Sequence, residues 1–175
     1  GYGYAGIPDP NANISAPDDS GIFRVDLETG SQELIVSLAD VAKIPFKADL
    51  SNKKHYFNHL LINPDGTRIE FLHRWAPRGD YCRTRMLTAA TDGTDIRVVD
   101  DSGCTSHFIW RDPSHILAWS WYPRYVGHKH KYGFCLFEDK PGGGNVEIIG
   151  NDNMVTDGHC TYLPGNEYIL NDTYP

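Results

Sequence analysis

Apolar residues in this chain occur in short runs that alternate with polar positions and do not recur at helical spacing. The runs are rich in Val, Ile, Tyr, Phe and Trp, and Gly, Pro, Asn and Asp interrupt them every 8–12 residues or so. This pattern is typical of antiparallel strands joined by tight turns. Only residues 32–42 could carry a short helical turn. The sequence therefore predicts an all-β fold.

Three segments of the chain match one another: NHLLINPDGTRIEFLHRW, SHFIWRDPSHILAWSWY and GHCTYLPGNEYILNDTY. Each starts at or beside a His, continues as an apolar strand, turns at a polar step that contains Pro, and ends as a second strand on an aromatic residue. The three histidines are His59, His107 and His159. A pattern that recurs every few tens of residues indicates a repeat fold.

The segments that follow the first two copies read as hairpins. TRMLTAATDGTDIRVVDD carries Asp92-Gly93 between two alternating strands, and YGFCLFEDKPGGGNVEIIG carries a Gly-rich turn at the same place. A third such segment near the start, GIFRVDLETGSQELIVS, has Thr29-Gly30 at its turn. Asp-Gly between strands is a strong hairpin signal. The repeat unit is then four strands in about 50 residues, which suits a blade of a β-propeller.

We predict a single partial β-propeller domain over residues 1–175, with four-stranded antiparallel blades and an incomplete ring of about 3.5 blades. The segments are a blade end at 1–50, a blade at 55–103, a blade at 105–151 and a partial blade at 157–175. A β-sandwich is the alternative, but it does not predict histidines and terminal aromatics in phase. Because an open propeller exposes strand edges, we expect a fragment of a longer chain or self-association that completes the propeller.

The charge of the chain limits its partners. Its 16 Lys and Arg against 23 Asp and Glu give a net charge of −7, which argues against a nucleic-acid partner because binding to phosphates needs clustered positive charge. No apolar run reaches the length of a membrane span. The chain lacks both an initial Met and a signal-peptide core, so we expect processed or truncated ends. Its localisation stays open between cytoplasmic and periplasmic or secreted.

The four cysteines, Cys82, Cys104, Cys135 and Cys160, are widely scattered and form no C-x-x-C pair. This spacing argues against a zinc ribbon and does not imply a disulfide framework. We expect plain thiols, buried or partly buried.

The three in-phase histidines predict a metal site. In a propeller the first strand of each blade lines the central channel, so equivalent positions converge on one axis. Neutral imidazole nitrogens suit Mn, Fe, Ni or Zn, and three protein ligands leave positions open for a substrate. The alternative is that each His merely hydrogen-bonds a neighbouring loop. We expect His55 in a surface loop and His115 on the far side of its blade, both outside the site.

Strand direction predicts the neighbours of the histidine column, because each second strand returns to the end where the His lies. This places His73, Arg74 and Trp75 near His59. It also places Tyr122 near His107 and Asp172 near His159. Two basic, aromatic loops follow, APRGDYCRTR and PRYVGHKHKYG, and in an acidic chain they favour an anionic ligand. Trp119 is expected to pack between blades.

With FNHLLINPDGTRIEFLHRW, CTSHFIWRDPSHILAWSWY and DGHCTYLPGNEYILNDTYP in place, the chain from Gly21 onward resembles the oligogalacturonate lyase-type β-propellers, which are related to TolB-like propellers. The resemblance implies a seven-bladed ring, a divalent metal, usually Mn, held by histidines, and another His as base in β-elimination on a short uronate oligosaccharide. By position it makes His107 and His159 metal ligands and His59 the base. The family adds a Gln and a further His, but near His159 this chain has Asp157 and no Gln. The missing ligands are then absent, replaced by Asp157, or located elsewhere in a longer chain.

The predicted function is thus a metal-dependent lyase that acts on an anionic, uronate-containing oligosaccharide. Arg74 or Arg124 would neutralise the substrate carboxylate, because proton removal beside that group builds up negative charge. A base with a pKa near neutrality, His59, would take the proton. Trp75 and Tyr122, with His73 beside them, would bind the sugar rings. The alternative is a non-catalytic propeller that binds glycans or protein partners, because propellers host many functions.

Overall fold

The computed structural model describes residues 6–76, 83–121, 132–150 and 153–173, and nearly all of its regular structure is β-strand. The elements are β1 (Gly21–Val25), β2 (Gln32–Ser37), α1 (Leu38–Lys43), β3 (Lys54–Ile62), β4 (Arg68–Ala76), β5 (Thr84–Ala90), β6 (Arg97–Gly103), β7 (Phe108–Asp112), β8 (His115–Trp121), β9 (Tyr132–Glu138), β10 (Val146–Ile149), β11 (Cys160–Tyr162) and β12 (Ile169–Asn171).

These strands form four antiparallel sheets, each built from strands that follow one another in the chain. Sheet I is β1–β2, sheet II is β3–β6, sheet III is β7–β10 and sheet IV is β11–β12. The all-β prediction is confirmed, and the predicted hairpin turns lie between β1 and β2, β5 and β6, and β9 and β10.

Three apolar clusters lie between successive sheets and form the core. Ile22 and Val36 of sheet I pack with Phe71 and Leu87 of sheet II. Leu72 and Met86, on the other face of sheet II, pack with Trp110, Ile116 and Phe137 of sheet III. Leu117 and Phe134, from the far face of sheet III, pack with Cys160 of sheet IV. Sheets II and III therefore bury both faces, which explains why β5 and β9 are apolar along most of their length.

The Asp92-Gly93 turn shows how a local signal becomes a tertiary contact. Gly93 has a φ of 86°, which Gly adopts without steric cost. A Cβ on Gly93 would lie 2.0 Å from the carbonyl oxygen of Ile35 in β2. The turn of sheet II therefore rests directly on the backbone of sheet I.

The predicted helical segment at residues 32–42 is only partly helical. Its first half is the strand β2, and the helix α1 begins at Leu38 after the N-cap Ser37, whose hydroxyl accepts a hydrogen bond from the Asp40 N–H at 3.0 Å. The apolar run of β2 pairs with β1, so the cap residue marks where strand becomes helix. With six residues, α1 is too short to cross a membrane, and no other helix in the described ranges could do so.

The expectation of four plain thiols is wrong for Cys104, which is disulfide-bonded. Cys135 and Cys160 are free and buried, and burial raises the pKa of both thiols to about 12. These two cysteines behave as small apolar side chains, each inside a cluster between sheets. Cys82 lies outside the described residues.

Candidate functional site

The structure brings His59, His107 and His159 together, although they come from three different sheets. The ring centroids of His59 and His107 are 6.0 Å apart, and those of His107 and His159 are 4.3 Å apart. His107 directly precedes β7 and His159 directly precedes β11, so equivalent strand starts place both rings at one end of the stacked sheets.

His59 differs from the other two because it lies inside a strand. β3 begins at Lys54, and its pairing with β4 is interrupted between Asn58 and Leu61, where His59 has a φ of 55°. The left-handed backbone region is sterically costly for a residue with a Cβ. The prediction that His59 starts its strand is therefore wrong, and a bulge turns its side chain toward His107 instead.

Each of the other two histidines contacts a carboxylate through Nδ1. His107 Nδ1 lies 3.1 Å from Asp157 Oδ1, and His159 Nδ1 lies 2.9 Å from Asp172 Oδ2. Asp157 was predicted as a metal ligand, but the oxygen in question also accepts the Gly158 N–H at 2.9 Å. In the structure Asp157 is thus a hydrogen-bond partner of His107.

Strand alternation separates the residues that were expected beside His59. Arg74 shares the face of β4 that carries Leu72 and points to sheet III, whereas His73 and Trp75 share the face of Phe71. His73 is fully buried and Trp75 is 5% exposed. Neither side chain is accessible to a sugar, so the structure places only Arg74 on the side of the histidines.

His73 instead belongs to a buried chain of hydrogen bonds that the sequence did not reveal. The Arg85 Nε–H donates to His73 Nδ1 at 3.0 Å, His73 Nε2 lies 2.7 Å from His55 Nδ1, and His55 Nε2 lies 3.1 Å from the Leu50 carbonyl oxygen. The expectation that His55 lies in a surface loop is wrong, because it is 2% exposed in β3. Burial, followed by the charges of Arg85 and His55, lowers the pKa of His73 to about 2.

A cavity of about 400 Å³ lies next to His107, although none of the three histidines is among its described lining residues. Arg74, Arg83, Trp119 and Tyr132 line it together with Asp157, the partner of His107. The Nε of Arg74 is buried and has no hydrogen-bond acceptor within the described residues. Arg74 and Arg83 give the cavity wall two positive charges, so the cavity is suited to an anion that accepts a charge-assisted hydrogen bond.

Sequence reasoning missed part of the cavity wall. Trp119 was predicted to pack between blades, and it does pack against the cluster between sheets III and IV, but it also lines the cavity. Thr105 and Ser106 line it as well. The polar run directly before His107 was the available signal, because its residues must reach the same end of the sheets as the His.

His59 is electrostatically suited to accept a proton. Its pKa is lowered from the ordinary value, first by partial desolvation and then by the positive charge of Arg74, with smaller effects of His107 and His159. At neutral pH the imidazole is therefore mainly uncharged. A neutral imidazole can act as a general base or as a metal ligand.

The donor set was also tested against a divalent transition metal. His107 and His159 provide two adjacent imidazoles, each with a carboxylate at Nδ1, which is the arrangement that orients histidine ligands in metal sites. In the described ranges no group of three or more His, Cys, Asp or Glu side chains is arranged to hold a metal ion. The donor atoms of His107 and His159 are of a kind that binds a transition metal. The ring centroid of His59 lies 6.0 Å from that of His107.

Two predicted site residues, Tyr122 and Arg124, lie outside the described residues, as does most of both basic loops. Comparison of the chain with protein-family models, with curated proteins and with solved structures gave no match.

Proposed function

We propose that this chain is part of a metal-dependent lyase that performs β-elimination on uronate-containing oligosaccharides. One observation carries the proposal: His59, His107 and His159 lie close together, and Asp157, the partner of His107, lines a cavity together with Arg74. A base and an anion-binding group at one place are what this elimination requires.

For the fold, we propose that the four sheets are consecutive blades of a β-propeller. In support, the two four-stranded sheets follow chain order, every sheet is antiparallel, and each packs face to face on the next. Sheets I and IV have two strands each, which corresponds to the predicted partial blades. Self-association of the chain would then complete the ring.

Arg74 would bind the substrate carboxylate. Because Arg74 lines the cavity, its guanidinium can donate a charge-assisted hydrogen bond and offset the negative charge that develops when the adjacent C5 proton leaves. Arg83 adds a second positive charge to the same wall. Trp119 and Tyr132 offer aromatic surface for a sugar ring in place of the buried Trp75.

His59 would be the base. Its imidazole removes the C5 proton, the electrons of the C5–H bond form the C4–C5 double bond, and the C4–oxygen bond breaks. The leaving oxygen takes a proton from solvent water, and the proton on His59 returns to solvent. The lowered pKa of His59 keeps a lone pair available at neutral pH. Arg124 would assist in charge neutralisation as a second clamp.

His107 and His159 would hold the metal, Mn in the first place, with Fe, Ni or Zn as alternatives. When bound, the metal supplies Lewis-acid polarisation of the carboxylate. Asp157 supports His107 from behind and is not proposed as a ligand, because its oxygen is already shared between two donors.

The test combines metal analysis of the purified chain with an ultraviolet assay for the unsaturated product on oligogalacturonate. His59→Ala is expected to abolish product formation and to leave metal content unchanged. His115→Ala is the matched control, because His115 also contacts an Asp but lies at the turn between β7 and β8. Metal loss in His59→Ala would make His59 a ligand and leave the base unassigned.

The alternative function, a non-catalytic propeller that binds glycans or protein partners, uses the same cavity. Binding of a uronate oligosaccharide that weakens in Arg74→Gln, without any unsaturated product from the wild type, would establish the binding protein and refute the lyase. Arg24→Gln, at an exposed arginine of sheet I, is the control for loss of charge alone.

A further inference from the structure

The hydrogen bonds at Nδ1 determine which nitrogen of each histidine carries a lone pair. Asp172 Oδ2 lies 2.9 Å from His159 Nδ1, and Asp157 Oδ1 lies 3.1 Å from His107 Nδ1. An ionised carboxylate accepts hydrogen bonds and donates none. In a neutral ring each Nδ1 must therefore carry the proton, which leaves the lone pair on Nε2.

We propose that Asp172 and Asp157 are positioning residues that hold His159 and His107 as Nδ1–H tautomers, so that both rings offer Nε2 to a divalent metal. This inference rests on the proposed function, because the metal is the ligand that the two nitrogens would share. It also reassigns Asp157 from metal ligand to ligand support. Loss of such a partner typically weakens metal binding by about 10–100-fold.

Asp172 is the stronger of the two supports because it binds His159 twice. Its second oxygen accepts the backbone N–H of His159 at 2.5 Å. The two backbone segments are so close here that a Cβ on Gly158 would lie 1.6 Å from the Asp172 carbonyl oxygen. The backbone contact therefore fixes which oxygen of Asp172 faces the imidazole.

Replacement of Asp172 by Asn should reverse the polarity of this contact. The backbone N–H of His159 needs an acceptor, so the amide oxygen stays there and the amide NH₂ turns to Nδ1. Nδ1 must then accept, the ring proton moves to Nε2, and the metal-binding lone pair is lost. Asp172→Asn is thus a tautomer switch as well as a loss of charge.

Asp157 should respond less to the same substitution. One oxygen accepts both from His107 Nδ1 and from the Gly158 N–H, so Asn can keep its own oxygen in that position. The Ser106 hydroxyl also lies 3.3 Å from His107 Nδ1 and can accept in its place. The structure therefore predicts a larger effect for Asp172→Asn than for Asp157→Asn.

The fold should tolerate the substitution at Asp172. The side chains of His159 and Asp172 are 61% and 58% exposed, and exposed pairs add little to stability. His115 and Asp112 offer a matched control, because His115 Nδ1 lies 2.9 Å from Asp112 Oδ1 at the other end of β7 from His107.

The experiment measures histidine tautomers by ¹⁵N NMR on the metal-free chain and then titrates Mn²⁺ and Zn²⁺ calorimetrically. We expect Nδ1–H at His107 and His159 in the wild type, and Nε2–H at His159 in Asp172→Asn. Metal affinity should fall by about 10–100-fold in Asp172→Asn, less in Asp157→Asn, and not at all in Asp112→Asn.

An Nε2–H tautomer at His159 in the wild type overturns the inference without recourse to any variant. Equal metal affinities of Asp172→Asn and Asp112→Asn overturn it as well. A wild-type chain that binds neither metal refutes the metal in the proposed function, whereas the tautomers still decide whether the two carboxylates position the rings.

Discussion

The buried chain from Arg85 through His73 to His55 should make the fold sensitive to acid through one residue. Because the Arg85 Nε–H donates to His73 Nδ1, the only proton of His73 is on Nε2, where it points at His55. His55 then accepts on Nδ1 and donates from Nε2 to the Leu50 carbonyl. A second proton on His73 would face the Arg85 donor, so the ring stays neutral in the folded state.

The size of the effect follows from the two pKa values of His73. Folding lowers its pKa from 6.5 to about 2, so below pH 6.5 the unfolded chain binds a proton that the folded chain does not, and stability is lost as the pH falls. Proton linkage gives a loss of about 2 kcal/mol between pH 7 and pH 5. The same loss follows for any folded pKa below about 4.

The contribution of His73 can be isolated by urea unfolding of the wild type and of His73→Gln. The unfolding is followed by Trp fluorescence at pH 7, 6 and 5. The wild type should be the more stable protein at pH 7. The difference in the free energy of unfolding between the two proteins should be smaller by about 2 kcal/mol at pH 5, because Gln does not titrate. Ile69→Val, a small deletion on the same face of β4, should keep a constant gap to the wild type. A constant gap for His73→Gln would refute the neutral, buried imidazole.

Three further predictions concern single positions. His59→Gly should be about 1 kcal/mol more stable than His59→Ala in chemical unfolding, because only Gly adopts the left-handed φ of 55° freely; equal stabilities would argue against the strained bulge. Gly158→Ala should abolish amide-exchange protection in β11, because its Cβ would overlap the Asp172 carbonyl; retained protection would contradict the close approach. Burial, and then the charge of Asp139, raises the pKa of Glu70 above its ordinary value of 4.5, so the stability of the wild type relative to Glu70→Gln should decline as the pH rises above 4.5, by up to ~1.4 kcal/mol per pH unit; a stability difference that does not change with pH would exclude this carboxyl.

The partition into sheets could be predicted because it depends on local signals. Asp92-Gly93 and Thr29-Gly30 specify hairpin turns whatever lies around them, and alternating apolar runs specify strands. The approach of His107 to His159 followed from their equal position before the first strand of a repeat. The contact of Asp172 with His159 followed from the return of the second strand to the same end.

The burial of each side chain could not be predicted, because it depends on the register of strand pairing. His73, Arg74 and Trp75 were expected beside His59 as a group, yet successive residues of a strand point to opposite faces. The pairing of β3 with β4 is shifted by the bulge after Asn58. Only this register decides which residues of β4 face sheet I and which face sheet III. The buried Arg85 lacks a sequence signal as well, since its acceptors come from the end of α1, more than 40 residues earlier.

The two faces of sheet II treat buried polar groups differently. Toward sheet I, both ring nitrogens of His73 and of His55 have hydrogen-bond partners, and this series of hydrogen bonds stabilises the fold. Toward sheet III, Asn58 Oδ1, both carboxyl oxygens of Glu70 and Arg74 Nε have no partner within the described residues. Each such group costs about 1–3 kcal/mol, and these three share their face with the strained His59 bulge. Stability is thus given up on the face that borders the cavity and the histidines, as expected where a protein binds a ligand.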